Sequence, residues 1–189
     1  MPEEPEVENA ELEERREEAE GRSLLRAIAL STALLAALAA VAALYAGGTV
    51  NEALVLKTEA TQLESEASDQ WAAYQAKGIK GTIQSAIEAT WLAAGKQPPP
   101  DLAEERDRYA REQAELARFA HEKEAARDTR SAQAEHLLHQ HHRFADSVAL
   151  FQVAIALGAV AALTRISLVW VCSLLVGLGS AALFFLTIF

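Results

Sequence analysis

Histidine is concentrated at one place in the sequence, directly before an apolar run. Four of the five histidines of the chain lie between residues 136 and 142. Side chains spaced by four, three and four residues share one face of a helix, and here that face carries two carboxylates and two imidazoles: Glu135, His139, His142 and Asp146. Carboxylate and imidazole groups suit zinc, iron or nickel. The spacing therefore allows a metal site.

Three interpretations of this histidine cluster stay open. The sequence holds no second cluster of such ligands, so a complete metal site would need ligands from neighbouring subunits. Because histidine titrates near neutral pH, the cluster could instead form a pH-responsive contact. The third interpretation is a solvated polar collar where a helix enters a membrane. Arg143, which lies beside the stripe formed by Glu135, His139, His142 and Asp146, disfavours a bound cation. No cofactor is predicted.

Charge is distributed in blocks, and this distribution predicts the architecture. Residues 27–50 carry no Asp, Glu, Lys or Arg, and residues 147–189 carry only Arg165. About 20 apolar residues in a helix cross the hydrocarbon core of a bilayer. We therefore expect transmembrane helices over 24–46, 147–163 and 166–189, the last two joined by a tight turn at Thr164 and Arg165.

Small residues recur every fourth position in the second and third predicted spans. Such stripes let helices approach closely in lipid, although Ala and Gly are also common in membrane helices generally. The predicted packing residues are Ala154, Gly158, Ala162, Ser173, Gly177 and Ala181. Apart from Arg26 near the start of the first, the spans contain no Asp, Glu, His, Lys or Arg, which disfavours a pump or an ion-coupled transporter but leaves a passive pore open.

The charged block between the first two spans, residues 47–146, is predicted to form a helical hairpin stalk. Its tip lies near 95–101, where Gly95 and three prolines end one helix. A 3–4 spacing of apolar residues, beginning at Ala53, indicates a coiled-coil seam. That seam is expected to slip after Ala67, to Trp71 and Tyr74, and to continue through Ile79, Ile83, Ala86 and Thr90. The register places Gly78 and Gly81 opposite Ala117 and Ala114, and Lys57 near Glu135 or Leu138. The fold class is thus all-α, with three transmembrane helices and a long antiparallel coiled-coil hairpin between helices one and two.

The string "NEALVLKTEATQLESEASDQWAAYQAKGIK", residues 51–80, resembles an uncharacterised bacterial membrane-protein family, the domain of unknown function DUF4337. Members carry a similar "NEA…EASDQWAYYQAKSIK" stretch after a first apolar helix. The later "HHRFADSVALFQVAIALGAVAALT" is similar to that family's closing region. The resemblance implies a multi-pass helical membrane protein and no established activity. Ala73 and Gly78 depart from the family's string.

Within this string, an aromatic pair lies three residues apart among polar neighbours: Trp71 and Tyr74, with Gln70 and Lys77. One interpretation is packing between the stalk helices. Another is a contact with a partner protein or subunit, because aromatic residues with polar neighbours are typical of interface hot spots. A small-molecule site is the third.

Basic residues near the first span predict the orientation. Arg15, Arg16, Arg22 and Arg26 lie at its entrance, against Lys57 shortly after its exit. By the positive-inside rule the N-terminus is cytoplasmic and the stalk extracytoplasmic, and the family resemblance implies the bacterial inner membrane. The acidic tail, residues 1–23, is expected to be disordered or a charged helix.

These features predict an integral membrane structural or interaction protein. Its partners are the lipid bilayer, further copies of itself and a possible protein at the stalk. The net charge of −10 provides no basic surface for nucleic acid. No enzymatic activity is inferred, because no nucleophile–base pair or phosphate loop is apparent. The alternative is an oligomeric pore or a pH- or metal-responsive sensor that uses the histidine cluster.

Overall fold

The computed structural model describes the backbone of residues 4–189 and the side chains of residues 15, 19 and 21–189. Over this range the chain is all-α, in three helices: α1 (Glu4–Ala93), α2 (Pro100–Thr164) and α3 (Ser167–Ile188). The backbone of residues 4–23 belongs to α1, but most side chains of the predicted acidic tail lie outside the described residues.

Two short connections end the helices where the sequence predicts. At the end of α1 the Lys96 amide donates to the Trp91 carbonyl and the Gly95 amide to the Leu92 carbonyl, each at 3.0 Å. This pair of bonds is a Schellman motif, and Gly95 takes the left-handed conformation that the motif requires, with φ of 69°. Arg165, with φ of 58°, lies in the link between α2 and α3. The chain thus reverses over Arg165 and Ile166, a tight turn one residue later than the predicted Thr164 and Arg165.

Each of the three described helices contains a stretch long and apolar enough to cross a bilayer. The stretches lie within residues 21–93 of α1, within α2 and within α3. The prediction of a helical protein with three membrane-compatible segments is confirmed at this level.

One compact unit consists of the described part of residues 1–51, together with residues 137–189. Its core brings α1, α2 and α3 together around large and small apolar side chains, among them Leu35, Ala42, Phe151 and Phe184. The Phe184 ring lies 5.7 Å from Tyr45 and 5.8 Å from Phe144, centroid to centroid. The rings of Tyr45, Phe144 and Phe184 thus cluster together in this core.

The second compact unit consists of residues 52–136. Ala53, Ala60 and Ala67 are buried at intervals of seven residues on α1. Buried Ala120 and Ala134 lie on α2. Alanine at these positions lets two helices run close together, so the contact buries little apolar area.

The predicted seam of α1 holds at Trp71 and Tyr74, which are half-buried, but its predicted continuation from Ile79 to Thr90 is wrong. The seven-residue spacing continues through Tyr74, Gly81 and Glu88, all half-buried, whereas the expected seam residues are exposed: Ile79, Ile83, Ala86 and Thr90. The seven-residue register of the contact with α2 is therefore unbroken, but in this half of α1 Gly and polar side chains occupy it. The apolar pattern continues on a different face.

Candidate functional site

Trp71 lies at the centre of the contacts between α1 and α2 in the 52–136 unit. Its indole N–H donates to Glu124 Oε1 at 2.8 Å. Its ring meets the Tyr74 ring edge-on at 5.4 Å and the His121 ring at 5.1 Å, centroid to centroid. His121 Nδ1 lies 3.0 Å from the other oxygen of Glu124. The aromatic pair is therefore used in packing between helices, one of the interpretations that the sequence leaves open.

Glycine at position 78 allows α2 to approach α1 beside this cluster. Gln113 Nε2 donates to the Tyr74 carbonyl at 3.1 Å, and a Cβ at residue 78 would lie 2.5 Å from that nitrogen. A Cβ at residue 81 would lie 3.9 Å from Tyr109 Cβ. Gly78 and Gly81 thus lie beside Gln113 and Tyr109, about one helical turn from the predicted Ala117 and Ala114.

The two polar residues of the predicted interaction site also lie at this contact. Lys77 forms an ion pair with Glu112, and its ammonium is 5.5 Å from the centroid of the Tyr109 ring. Gln70 lines an open groove of about 500 Å³ with Lys77, Lys123 and Phe119. Three of the four predicted residues therefore make direct contacts with α2, and Gln70 borders the groove next to them.

Ion pairs join α1 to α2 over most of the 52–136 unit. They include Lys57–Glu135 at 3.8 Å, Glu59–Arg130 at 3.2 Å, Glu66–Lys123 at 2.6 Å, Glu88–Arg106 at 2.7 Å, and Glu64–Arg127. Residues later in α1 pair with residues earlier in α2. The Lys57–Glu135 pair is one that the sequence predicts. Exposed pairs stabilise weakly, so their main effect is to select one register.

Three glutamates at these contacts have pKa values below the ordinary 4.5. The Trp71 indole lowers the pKa of Glu124, and His121 lowers it further. A hydrogen bond from Lys123 lowers the pKa of Glu66, and one from Lys77 lowers that of Glu112. In each case a donor favours the charged carboxylate, so these contacts are stronger when the acids are ionised.

The residues of the predicted metal stripe are all exposed on α2: Glu135, His139, His142 and Asp146. Glu135 is paired with Lys57. Among the residues that the structure describes, no group of three or more His, Cys, Asp or Glu side chains is placed to hold a metal ion. One chain does not bring the predicted ligands together, and a site completed by neighbouring subunits stays a prediction.

His141, which the metal stripe omits, makes the most specific contact of the histidine cluster. It is half-buried, and its Nδ1 lies 2.8 Å from the Ala46 carbonyl of α1. A carbonyl only accepts, so Nδ1 must carry the proton and Nε2 is left free in the neutral ring. The 3–4 spacing with Phe144 and Val148 could have placed His141 on the packing seam.

The predicted small-residue stripes lie where the three helices of the other unit meet. Ala154, Gly158, Ser173 and Gly177 are buried, and Ala162 and Ala181 are half-buried. Ser173 Oγ donates to the Ala154 carbonyl at 2.6 Å. Added Cβ atoms would lie 2.6 Å from Thr32 Oγ1 at residue 158 and 2.5 Å from Leu35 Cδ2 at residue 177. The absence of a side chain at both glycines is therefore what permits this packing.

Two further polar contacts in this unit were not predicted. Ser180 Oγ donates to the Ser147 carbonyl at 2.6 Å, with both serines buried. Trp170 Nε1 donates to Ser31 Oγ at 3.1 Å. Ser173 and Ser180 are seven residues apart on α3, and this spacing on one face was the available signal. The candidate site as a whole is a set of helix–helix contacts.

Comparison with known proteins supports the earlier resemblance. No curated protein and no solved structure matches the chain. The family profile described as "Domain of unknown function (DUF4337)" matches residues 24–189. The matched range includes the three membrane-compatible stretches and the whole 52–136 unit. The chain therefore belongs to the DUF4337 family of domains of unknown function.

Proposed function

We propose that this protein is a multi-pass membrane protein that acts by binding other proteins, first of all further copies of itself, and that it catalyses no reaction. The contacts between α1 and α2 in the 52–136 unit carry this proposal. They fix one side-by-side arrangement of two long helices and use the most distinctive residues of the chain, around Trp71, for that purpose. Such an arrangement supplies a long exposed surface suited to association.

In this proposal the 52–136 unit is an antiparallel coiled-coil hairpin, with its tip near Gly95. The order of the ion pairs supports it, because partners of Lys57, Glu66 and Glu88 come progressively earlier in α2. Buried alanines at seven-residue intervals support it as well. The hairpin lies outside the cytoplasm of a bacterial cell, with the N-terminus inside, on the strength of the basic residues before the first span.

Oligomeric state in a bilayer is the test of the proposed function. The full chain is reconstituted into lipid bilayers at several protein-to-lipid ratios, and its oligomeric state is measured by single-molecule photobleaching. A stable population of two or more copies at low protein density is expected. Monomers at all densities would refute the homo-oligomeric proposal.

Orientation has its own test. A cysteine replaces Gln97 near the tip in a chain whose Cys172 is changed to serine, and intact cells are treated with a membrane-impermeant thiol reagent. Labelling before lysis is expected. Labelling only after lysis would place the tip in the cytoplasm.

A pH-responsive oligomeric pore is the second candidate function, and His141 is the observation that favours it. Its Nδ1–H bond to the Ala46 carbonyl joins α2 to α1 beside the aromatic rings of Tyr45 and Phe144. Ion flux through liposomes that contain the protein, measured between pH 5.5 and 8, separates this function from a scaffold. A scaffold gives no flux at either pH.

A further inference from the structure

A second apolar stripe runs along α1 in the 52–136 unit. Its spacing alternates between four and three residues, and all of its members are exposed: Ala72, Ala76, Ile79, Ile83, Ala86 and Thr90. The side chains of Ile79 and Ile83 are 63% and 52% exposed, unusually high for isoleucine. We call these six residues the outer stripe.

The outer stripe lies on the face of α1 opposite the one that contacts α2. At 100° per residue, its centre is roughly 180° around the helix from Tyr74, Gly81 and Glu88. Those three residues form the half-buried seam toward α2. The hairpin therefore cannot cover the outer stripe with its own second helix. Ile87 and Trp91, 40% and 37% exposed, widen the apolar surface on one flank.

The alternating spacing specifies what kind of surface would fit. Apolar residues at intervals of three and four form the seam of a two-stranded coiled coil, in which a second helix packs knobs into holes. The stripe extends over five turns of helix, on the order of 28 Å. Alanines toward its two ends let a second helix approach closely, and the two isoleucines at its middle supply apolar bulk.

The charges around the outer stripe favour a second copy of this chain as that helix. The residues that flank its middle are Gln75, Lys80 and Thr82, so a single cation stands there and no acid. A strongly charged partner would find little to pair with. When two copies meet in the same direction, Lys80 of one faces Gln75 of the other, because flanking positions five apart meet across such a seam. In the opposite direction the two Lys80 side chains would approach each other.

We propose that the outer stripe is the surface through which two copies associate, as a parallel, two-fold symmetric coiled coil of their α1 helices. This inference rests on the proposed homo-oligomer and names its contact surface. A seam of five helical turns is smaller than a standard interface, which buries roughly 800 Å² per partner. Confinement in one bilayer raises the effective concentration of the copies, so a short seam is sufficient there.

Disulfide cross-linking of the full chain in membranes tests the surface. In a background with Cys172→Ser, which removes the exposed native thiol, Ile79→Cys is compared with Ser85→Cys, an exposed position far from the outer stripe. Mild oxidation is expected to convert the Ile79→Cys protein to a disulfide-linked dimer at least tenfold more efficiently than the control. Equal cross-linking of the two variants, or a product of Ile79→Cys with a different protein, would overturn the proposal.

A charge substitution separates this surface from the homo-oligomer itself. Ile79→Glu with Ile83→Glu introduces like charges at the seam, and Ser85→Glu is the matched control. We expect the double variant to associate at least tenfold more weakly in bilayers than the natural chain. The control should associate as strongly as the natural chain. If the natural chain is monomeric, the proposed homo-oligomer fails and the surface fails with it. If it is oligomeric and the double variant associates equally well, the surface alone is refuted.

Discussion

Gly177 of α3 offers the sharpest test of how the membrane-compatible helices pack. Replacement by alanine adds one methyl group, which would lie 2.5 Å from Leu35 Cδ2 and 3.1 Å from Leu35 Cδ1. Carbon atoms pack best at about 3.5–4.0 Å, so α3 or Leu35 must shift by roughly 1 Å. Leu35 is 8% exposed in the core of this unit and has little free space. Overpacking of this kind costs about 1–3 kcal/mol.

Gly179, two residues further along the same helix, is the matched control. A methyl group there meets nothing within 4 Å. Both substitutions gain the same helix propensity, about 1 kcal/mol, so this gain cancels when the two variants are compared. We therefore expect Gly177→Ala to be less stable than Gly179→Ala by about 1–3 kcal/mol.

The free energy of unfolding can be measured on the full chain in lipid bicelles, by titration with SDS and pulse proteolysis. Leu35→Val, combined with Gly177→Ala, shortens the side chain that the new methyl group meets. The combined loss should then be smaller than the sum of the two single losses, because the residues are in contact. Equal stability of the two alanine variants, or strictly additive losses, would refute this account of the packing.

Three other predictions follow from contacts described above. Ser180→Ala removes the bond to the Ser147 carbonyl and should destabilise the same unit by about 0.6 kcal/mol, and by no more than about 1.7, in the same SDS assay. His141→Phe removes the bond to the Ala46 carbonyl and should cost about 1 kcal/mol, whereas His139→Phe, at an exposed position, should cost nothing measurable. Because the folded-state pKa values of Glu66, Glu112 and Glu124 are lowered from 4.5, the unfolded chain takes up protons first as the pH falls. The 52–136 unit should therefore keep its full stability above pH 4.5 and lose it progressively below, which hydrogen exchange of its amides at several pH values would report; protection that does not fall on acidification would contradict the assigned contacts.

Helix ends and membrane-compatible segments could be predicted from the sequence because their signals are local. Gly95 followed by prolines ends a helix by its own backbone geometry, and the charge-free blocks are visible by composition. The positions of Gly158 and Gly177 were also predictable, since spacing by four marks one face of a helix. The atoms that they meet, Thr32 and Leu35, were not, because a stripe does not state which neighbour it faces.

The register of the α1–α2 contact shows where sequence periodicity misleads. Apolar spacing normally marks the buried face, and it predicts a seam from Ile79 to Thr90. In this half of α1 the seam toward α2 continues from Tyr74 to Gly81 and Glu88, and no hydrophobic pattern reveals the last two. The same holds for the histidines. Ligand chemistry favours His139 and His142, which are exposed, whereas the histidine that packs against α1 is His141.

The seam of α1 toward α2 changes its composition in the half of the helix where the outer stripe lies. Toward α2, the seam passes from buried Ala53, Ala60 and Ala67 to half-buried Tyr74, Gly81 and Glu88, so intrachain apolar contact declines along the helix. The outer stripe occupies this second half, where polar contacts and ion pairs hold α1 against α2. A second copy that binds α1 only when it is paired with α2 would stabilise that pairing by mass action. Association at the outer stripe would thus add stability to the part of α1 that its own chain holds least firmly.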